Sequence, residues 1–496
     1  MKRLVYGTAR QILWALLYGG VGGLIVAVAV LVTILESRPD LQAWHTVQLD
    51  EEFRAGSEVA SFPDFLALEA RLQAELERAV YVEGPVGSGG ELNRYTRGSL
   101  SDPGNWPQNW NRTFELPSSR PAAGVLLLHG MSDSPYSMRS LAEVVHNAGA
   151  WTVGMRLPGH GMAPSGLVDV EWQDMAAAVQ IAARHVHEKS AGEPFVIVGY
   201  SNGGALAVEY ALEALADPAL PLPTQLVLLS PEIGITRLAG LAVWQERLGH
   251  VLGLEKLAWN SILPEYDPFK YGSFALNAGK QAHLITEEIQ RRLGALDDGD
   301  TLERFPPTLA FQSAADATVT ASALVSGLFD RLPNDGNELV VFDVNRFAEL
   351  EPIMKHDPRS WLEAMLARAE HSYGVTVVTN ESPQTLRVST DRREAGASGV
   401  EHETMPGMAW PDDVYSLSHV SLPFPPDDPL YGGPDAEPGP GLQLGELAFR
   451  GEKGVLQVTG DDMLRLRWNP FHGYIEARVR QLIGGEPAGR DALGRP

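Results

Sequence analysis

Gly199-Tyr200-Ser201-Asn202-Gly203 is the strongest chemical signal in the chain. It follows the apolar run Phe195–Val198 and leads directly into a stretch with helical spacing, Gly203–Leu215. A serine on a sharp strand-to-helix turn needs small neighbours, because such a turn brings backbones close together. The product is a hydroxyl held at the mouth of a sheet. The helix start then adds positive potential and free N–H groups facing a developing oxyanion. Ser201 is therefore the expected nucleophile, the alternative being a structural Gly-rich turn. Acyl transfer also needs a second N–H donor, and His129-Gly130-Met131 closes another apolar run, Gly124–Leu128. The backbone amides of Met131 and Asn202 are the expected oxyanion donors. His129 itself is expected to pack and hydrogen-bond rather than react.

These residues require a scaffold. Gly124–Leu128, Trp151–Leu157, Phe195–Val198, Leu226–Leu229, Thr308–Phe311 and Leu339–Phe342 are short apolar runs suited to strands buried on both faces. Helical stretches lie between most of them, notably Met138–Ala148, Trp172–His187 and Gly203–Leu215. The alternation predicts an α/β fold with a parallel sheet and right-handed crossovers. Two segments interrupt it. Residues 235–305, rich in Leu, Trp and Phe, read as a helical cap over the sheet edge. Residues 346–415 read as a second insertion holding a helix (Ser360–Ala369), a strand (Val375–Thr379) and a polar loop (Ser389–Glu403).

The segments LLLHGMSDSPYSMRSLAE, RLPGHGMAPSG, VGYSNGGALAVEYAL and SAADATV resemble the monoacylglycerol-lipase and serine-aminopeptidase-like branch of the α/β-hydrolases. The resemblance covers roughly Gly124 to Val319, then the region around His419. Its members are esterases, lipases, thioesterases and a few peptidases, so the motifs are specific for fold and catalytic type but loose for substrate. The family's acid follows the next-to-last core strand, and Ser313–Val319 resembles that loop, which implies Asp316. Asp343, after the next strand, is the rival, and a helix-capping role for Asp316 is the other reading. The family usually places its histidine just after the last core strand, where LVVFDVNRFAELEP has none. The order Ser…Asp…His leaves His356, His371, His402, His419 and His472. His419 is preferred, because a small-residue loop ahead of the rigid Pro423-Phe424-Pro425-Pro426 segment can fix an imidazole and keep it accessible.

Composition narrows the function further. The chain has 496 residues and no cysteine, which excludes disulfides, thiolate metal sites and a Cys nucleophile. A formal net charge of −24 repels phosphate backbones, so nucleic acid is not an expected partner. His185 and His187 do not share a helix face, so no metal site is expected. Without a GxGxxG after a strand or a Walker motif, no cofactor is implied. Residues 11–35 carry no charge and are long enough to cross a bilayer as a helix. Lys2, Arg3 and Arg10 precede them and acids follow, so the positive-inside rule predicts a cytoplasmic N-terminus and an extracytoplasmic body.

The expected organisation is a transmembrane anchor at 11–35 and a lead-in at 36–110. An α/β-hydrolase domain at 111–485, with both insertions, and a polar tail at 486–496 follow. The expected function is a membrane-anchored serine hydrolase of lipid-like or other lipophilic carboxylic esters, its acyl group held by cap residues such as Leu238, Leu241, Trp244, Leu248, Leu257, Trp259 and Phe269. A peptidase or acyltransferase on the same triad would read a substrate amine with cap acids such as Glu232, Glu246 or Glu287-Glu288. A non-catalytic scaffold is the remaining alternative.

Overall fold

The computed structural model describes residues 14–484 apart from 24, 27–28, 31–32, 34, 83–91, 235–254, 297–300, 334–335, 369–370 and 446–464. Its strands in chain order are β1 (Phe114–Leu116), β2 (Gly124–Leu128), β3 (Trp151–Met155), β4 (Phe195–Tyr200), β5 (Gln225–Leu229), β6 (Trp259–Ser261), β7 (Phe274–Ala275), β8 (Thr308–Ser313), β9 (Glu338–Phe342), β10 (Gly374–Asn380), β11 (Arg387–Arg393) and β12 (Glu401–Ala409). Ten of them form one sheet in the order β1-β3-β2-β4-β5-β8-β9-β10-β11-β12, and β6 pairs only with β7. The seven strands from β3 to β10 run parallel, while β1 at one edge and β11 and β12 at the other are antiparallel.

The central strands read as unbroken apolar runs because both sheet faces are covered. Leu126, Leu128, Ile197, Leu226, Leu228 and Ala310 point into one core, and Val125, Leu127, Val196, Val198, Val227 and Phe311 into the other. On the first side pack α1 (Phe62–Ala79), α3 (Trp172–Lys189), α4 (Asn202–Ala216) and α5 (Leu276–Leu296). On the second lie α2 (Arg139–Asn147) and α7 (His472–Leu482), while α6 (Arg359–Ala367), beside β10, packs Leu362 and Met365 into the first core. Strand β2 feeds β3 on one side of it, whereas β4 feeds β5 on the other. The loops after β2 and β4 therefore diverge at a topological switch point, which opens a crevice at the strands' carboxyl ends.

Residues 36–110 are more than a lead-in. Helix α1 starts at Ser61, whose hydroxyl accepts from the Asp64 amide, and its apolar positions Phe65, Leu68, Leu72 and Leu76 are buried. From this segment Glu52 and Glu69 reach Arg156, which is fully buried at the end of β3 (3.0 and 3.2 Å). Residues 389–403, expected as a polar loop, instead supply most of β11 and the start of β12. Their polar side chains suit edge strands with one wet face, a pattern the period-2 signal underrates.

The anchor expectation is not met. Among the described residues no helix is long and apolar enough to cross a membrane. Parts of 11–35 lie outside the described residues. An uncharged stretch of sufficient length is necessary for a span but does not by itself make one. The membrane partner and the single-pass topology built on that segment fall with it. The tail at 486–496 and the cap residues Leu238, Leu241, Trp244, Glu246 and Leu248 lie outside the described residues.

Candidate active site

Ser201 sits between β4 and α4 with φ 53° and ψ −117°, a left-handed conformation that costs an L-residue strain. Three small residues make that turn possible. A Cβ on Gly203 would collide with the Leu128 carbonyl, one on Gly199 with Gly203, and one on Gly204 with Pro231. The turn is then tied down from both sides: the Ser201 amide donates to the Leu229 carbonyl (2.9 Å), and the Ser201 carbonyl accepts from the Glu232 amide (3.0 Å). The hydroxyl that results is nearly buried.

Asp316 and His419 meet it there. The Ser201 Oγ lies 3.0 Å from His419 Nε2, and His419 Nδ1 lies 2.7 Å from Asp316 Oδ2. A carboxylate accepts only, so Nδ1 carries the proton and Nε2 is left to accept from the serine hydroxyl. Asp316 Oδ1 accepts the amides of Thr318 (2.8 Å) and Val319 (2.9 Å), and Oδ2 also accepts from the Gln312 side chain (3.0 Å). Burial works to raise the Asp316 pKa, but the imidazole, its hydrogen bond and the two amides outweigh it and hold the carboxyl below its ordinary range.

The histidine loop is positioned from a distance. Ser313 Oγ donates to the Leu417 carbonyl (2.9 Å), Ser418 Oγ to the Leu466 carbonyl, and the Tyr200 hydroxyl to the His419 carbonyl (3.4 Å). The other histidines are engaged elsewhere. His402 pairs with Asp391 on the exposed sheet edge (2.7 Å), His371 bonds the Met365 carbonyl (2.8 Å), and His472 bonds Glu476 and the Pro423 carbonyl (both 3.1 Å). His356 is exposed on the segment ahead of α6. Asp343 is bound to Arg346 through two contacts (2.8 and 2.7 Å).

Met131 follows β2, whose Leu128 is in register with Gly199 of β4, so its loop lies beside the serine turn. Neither the Met131 nor the Asn202 amide donates to another group among the described residues. His129 fixes this loop as a buried strut. Its Nδ1 donates to the Gly130 carbonyl (2.8 Å) and its Nε2 accepts from the Leu157 amide (3.1 Å). Burial and the neighbouring His160 hold its pKa well below the usual value, so it stays neutral.

Sequence reading misses Gln312 and places Glu232 only as a cap acid. β8 extends two residues beyond the apolar run, and a glutamine at its end, followed by Ser313, is the available sign of a polar site. Glu232 has a buried carboxyl oxygen without a hydrogen-bond partner, and its charge couples to His419 and Asp316. Burial raises its pKa to about 7. The apolar cap residues that are described prove to be core: Leu257, Trp259 and Phe269 are each 2% exposed. Trp259 packs against His45, and Phe269 stacks on Tyr136. No group of acids and histidines able to hold a metal ion occurs among the described residues.

Known proteins match parts of the chain. A family model described as serine aminopeptidase, S33 covers residues 119–346, a little under half of the chain, which includes Ser201 and Asp316 and stops short of His419. A thermostable monoacylglycerol lipase of Bacillus sp. (strain H-257) is 33% identical over 88 residues, or 18% of this chain and 34% of its own. The match thus spans about a third of that relative's length. Among solved structures, a metagenome-derived lipolytic enzyme is 22% identical over 47% of this chain and 88% of its own, with a TM-score of 0.35. A monoacylglycerol lipase from Paleococcus ferrophilus is 17% identical over 46% and 87%, with the same TM-score of 0.35. The family match supports a serine-hydrolase type of activity in general.

Proposed function

We propose that the chain hydrolyses carboxylic esters through an acyl-enzyme on Ser201. His419, oriented by Asp316, takes the hydroxyl proton as Oγ attacks the ester carbonyl. The amides of Met131 and Asn202 receive the tetrahedral oxyanion. The imidazolium then protonates the departing alcohol, and a water deprotonated by the same ring frees the acid and restores Ser201. The observation that carries this reading is the continuous line from a strained serine hydroxyl through one imidazole to a buried, ionised carboxylate. Ester rather than amide cleavage is preferred because an alcohol leaves with less help from the general acid. Aminoacyl amides are the second reading, favoured by Glu232, an acid at the root of the cap that is electrostatically coupled to His419.

A fluorophosphonate probe tests the reading directly. The wild-type protein labels and hydrolyses p-nitrophenyl esters faster than aminoacyl anilides, and Ser201→Ala loses both labelling and turnover by three orders of magnitude or more. Labelling that persists in Ser201→Ala removes the nucleophile, and faster anilide cleavage selects the amide reading.

A further inference from the structure

A cavity of about 190 Å³ opens beside the serine turn. Its inner wall includes Ser132, Tyr200 and Val420, the chain neighbours of Met131, Ser201 and His419. The lining is also charged, with Lys270, Arg465 and Arg467 beside Asp133 and Asp267. Both carboxylates are already engaged. Asp133 takes Lys270 at 2.7 Å. Asp267 accepts the Tyr431 hydroxyl (2.6 Å) and the amides of Phe269 (2.9 Å) and Lys270 (3.1 Å). Arg467 stands 3.9 Å from Asp267 and donates to the Tyr266 hydroxyl at 3.2 Å. The guanidinium of Arg465 has no ion-pair partner among the described residues.

Among the described lining residues three cations stand against two engaged anions, and Arg465, which is itself exposed, carries the charge left over, in a chain whose acids outnumber its bases by 63 to 39. A protein that acidic repels anions at long range, so a local cation surplus acts at contact distance on whatever reaches it. Arg465 is also close enough to the serine turn for its charge to act on the Tyr200 hydroxyl, opposing Asp133 there.

We infer that the ester substrate carries a compact oxyanion, a carboxylate or a phosphate, held in this cavity by Arg465 with support from Lys270 and Arg467. The inference rests on the ester-hydrolase reading and narrows it. A planar guanidinium offers two parallel N–H donors to either anion. The charged lining argues against a long alkyl chain on this side of the serine.

The test uses the full chain and matched butyryl-sized esters. In one series the acyl end is methyl, carboxylate or phosphonate on a p-nitrophenyl ester; in the other, the alcohol is ethylene glycol, glycolate or ethylene glycol monophosphate. In at least one series the anionic ester has a kcat/KM at least tenfold above its neutral partner, and the gain shrinks as salt is raised. Arg465→Glu cuts that ratio tenfold or more, chiefly through KM, and Arg465→Lys restores part of it. The larger of the carboxylate and phosphorus-oxyanion gains identifies the anion. Neutral esters preferred in both series, or a preference untouched by Arg465→Glu, overturn the inference while leaving the hydrolase reading standing. If fluorophosphonate fails to label wild-type Ser201 and no ester turns over, the hydrolase reading fails and the inference falls with it.

Discussion

At Ser201 the constraint is written into a few consecutive residues, while at His419 it is imported from all over the sheet. The serine turn is set by Gly199, Gly203 and Gly204, whose missing side chains let β2, α4 and the chain after β5 close in. The histidine sits in a short 3-10 turn (His419–Ser421) and depends on Ser313, Leu466 and Tyr200, up to 219 positions away in the chain. Local strain held by close backbones is hard to dislodge piecemeal. A loop held by separate hydrogen bonds should lose precision by increments, each net bond contributing ~1 kcal/mol.

The largest contrast comes from the carboxylate between them. Asp316→Asn keeps the shape but offers an amide where Nδ1–H must be accepted, which favours the wrong tautomer. The expected loss in kcat is about 10³–10⁴-fold with KM little changed, read from steady-state ester hydrolysis; a loss under tenfold would remove Asp316 from the array. Next comes Gly203→Ala. Its Cβ meets the Leu128 carbonyl, a backbone atom that cannot swing aside. The turn must open, at a cost of about 1–3 kcal/mol in urea unfolding, and fluorophosphonate labelling should slow at least 100-fold. Wild-type labelling in this variant would show that the turn is not held by close packing.

The same contrast explains what is legible in the sequence. The sheet and the serine turn can be read because each depends on near neighbours: apolar runs mark strands, and glycines flanking a serine mark the turn. Met131 and Asn202 follow from their strands. His419 can be ranked among the histidines but no further, since the order Ser…Asp…His says nothing of which loop folds back across more than a hundred residues. The antiparallel β11 and β12 escape notice because edge strands carry polar residues on their wet face. Residues 11–35 mislead in the opposite direction: they lack charge, yet no helix long and apolar enough to span a membrane is found among the described residues. The described cap residues mislead too, because hydrophobicity alone cannot tell Trp259 in a core from a side chain facing a substrate.

Ser313→Ala is a finer probe of the imported constraint. It removes the buried bond to the Leu417 carbonyl and a longer one accepted from the Ala315 amide (3.2 Å), while Ser201, His419 and Asp316 keep their own side chains. Stability should fall by about 1 kcal/mol, and kcat by about tenfold as the imidazole drifts from the serine. An unchanged kcat alongside the stability loss would mean that the histidine loop is held by packing, and the contrast between the two regions would narrow.

Glu232 touches both regions and gives the smallest effect. Its amide holds the Ser201 carbonyl, so it belongs to the serine turn, while its carboxyl is coupled to His419 and Asp316. Burial raises that carboxyl from 4.5 to about 7, with His419 opposing the rise and Asp316 adding to it. A raised folded-state pKa means that the fold prefers the protonated form. Stability from this group is therefore greatest below about pH 4.5, declines as pH climbs through about 7, and is lowest above that. Glu232→Gln keeps the amide tether and removes the ionisation, and a buried neutral amide costs less than a buried carboxylate. The variant's stability relative to wild type should therefore improve by about 1–2 kcal/mol between pH 5 and pH 8 in urea titrations. Because the Ser201 tether is backbone, labelling at pH 5, where Glu232 is mostly neutral, should match wild type within a few-fold. A stability difference that is flat with pH would mean that the carboxyl is hydrated and uncoupled from the imidazole, leaving the backbone bond as the whole of its part in the site.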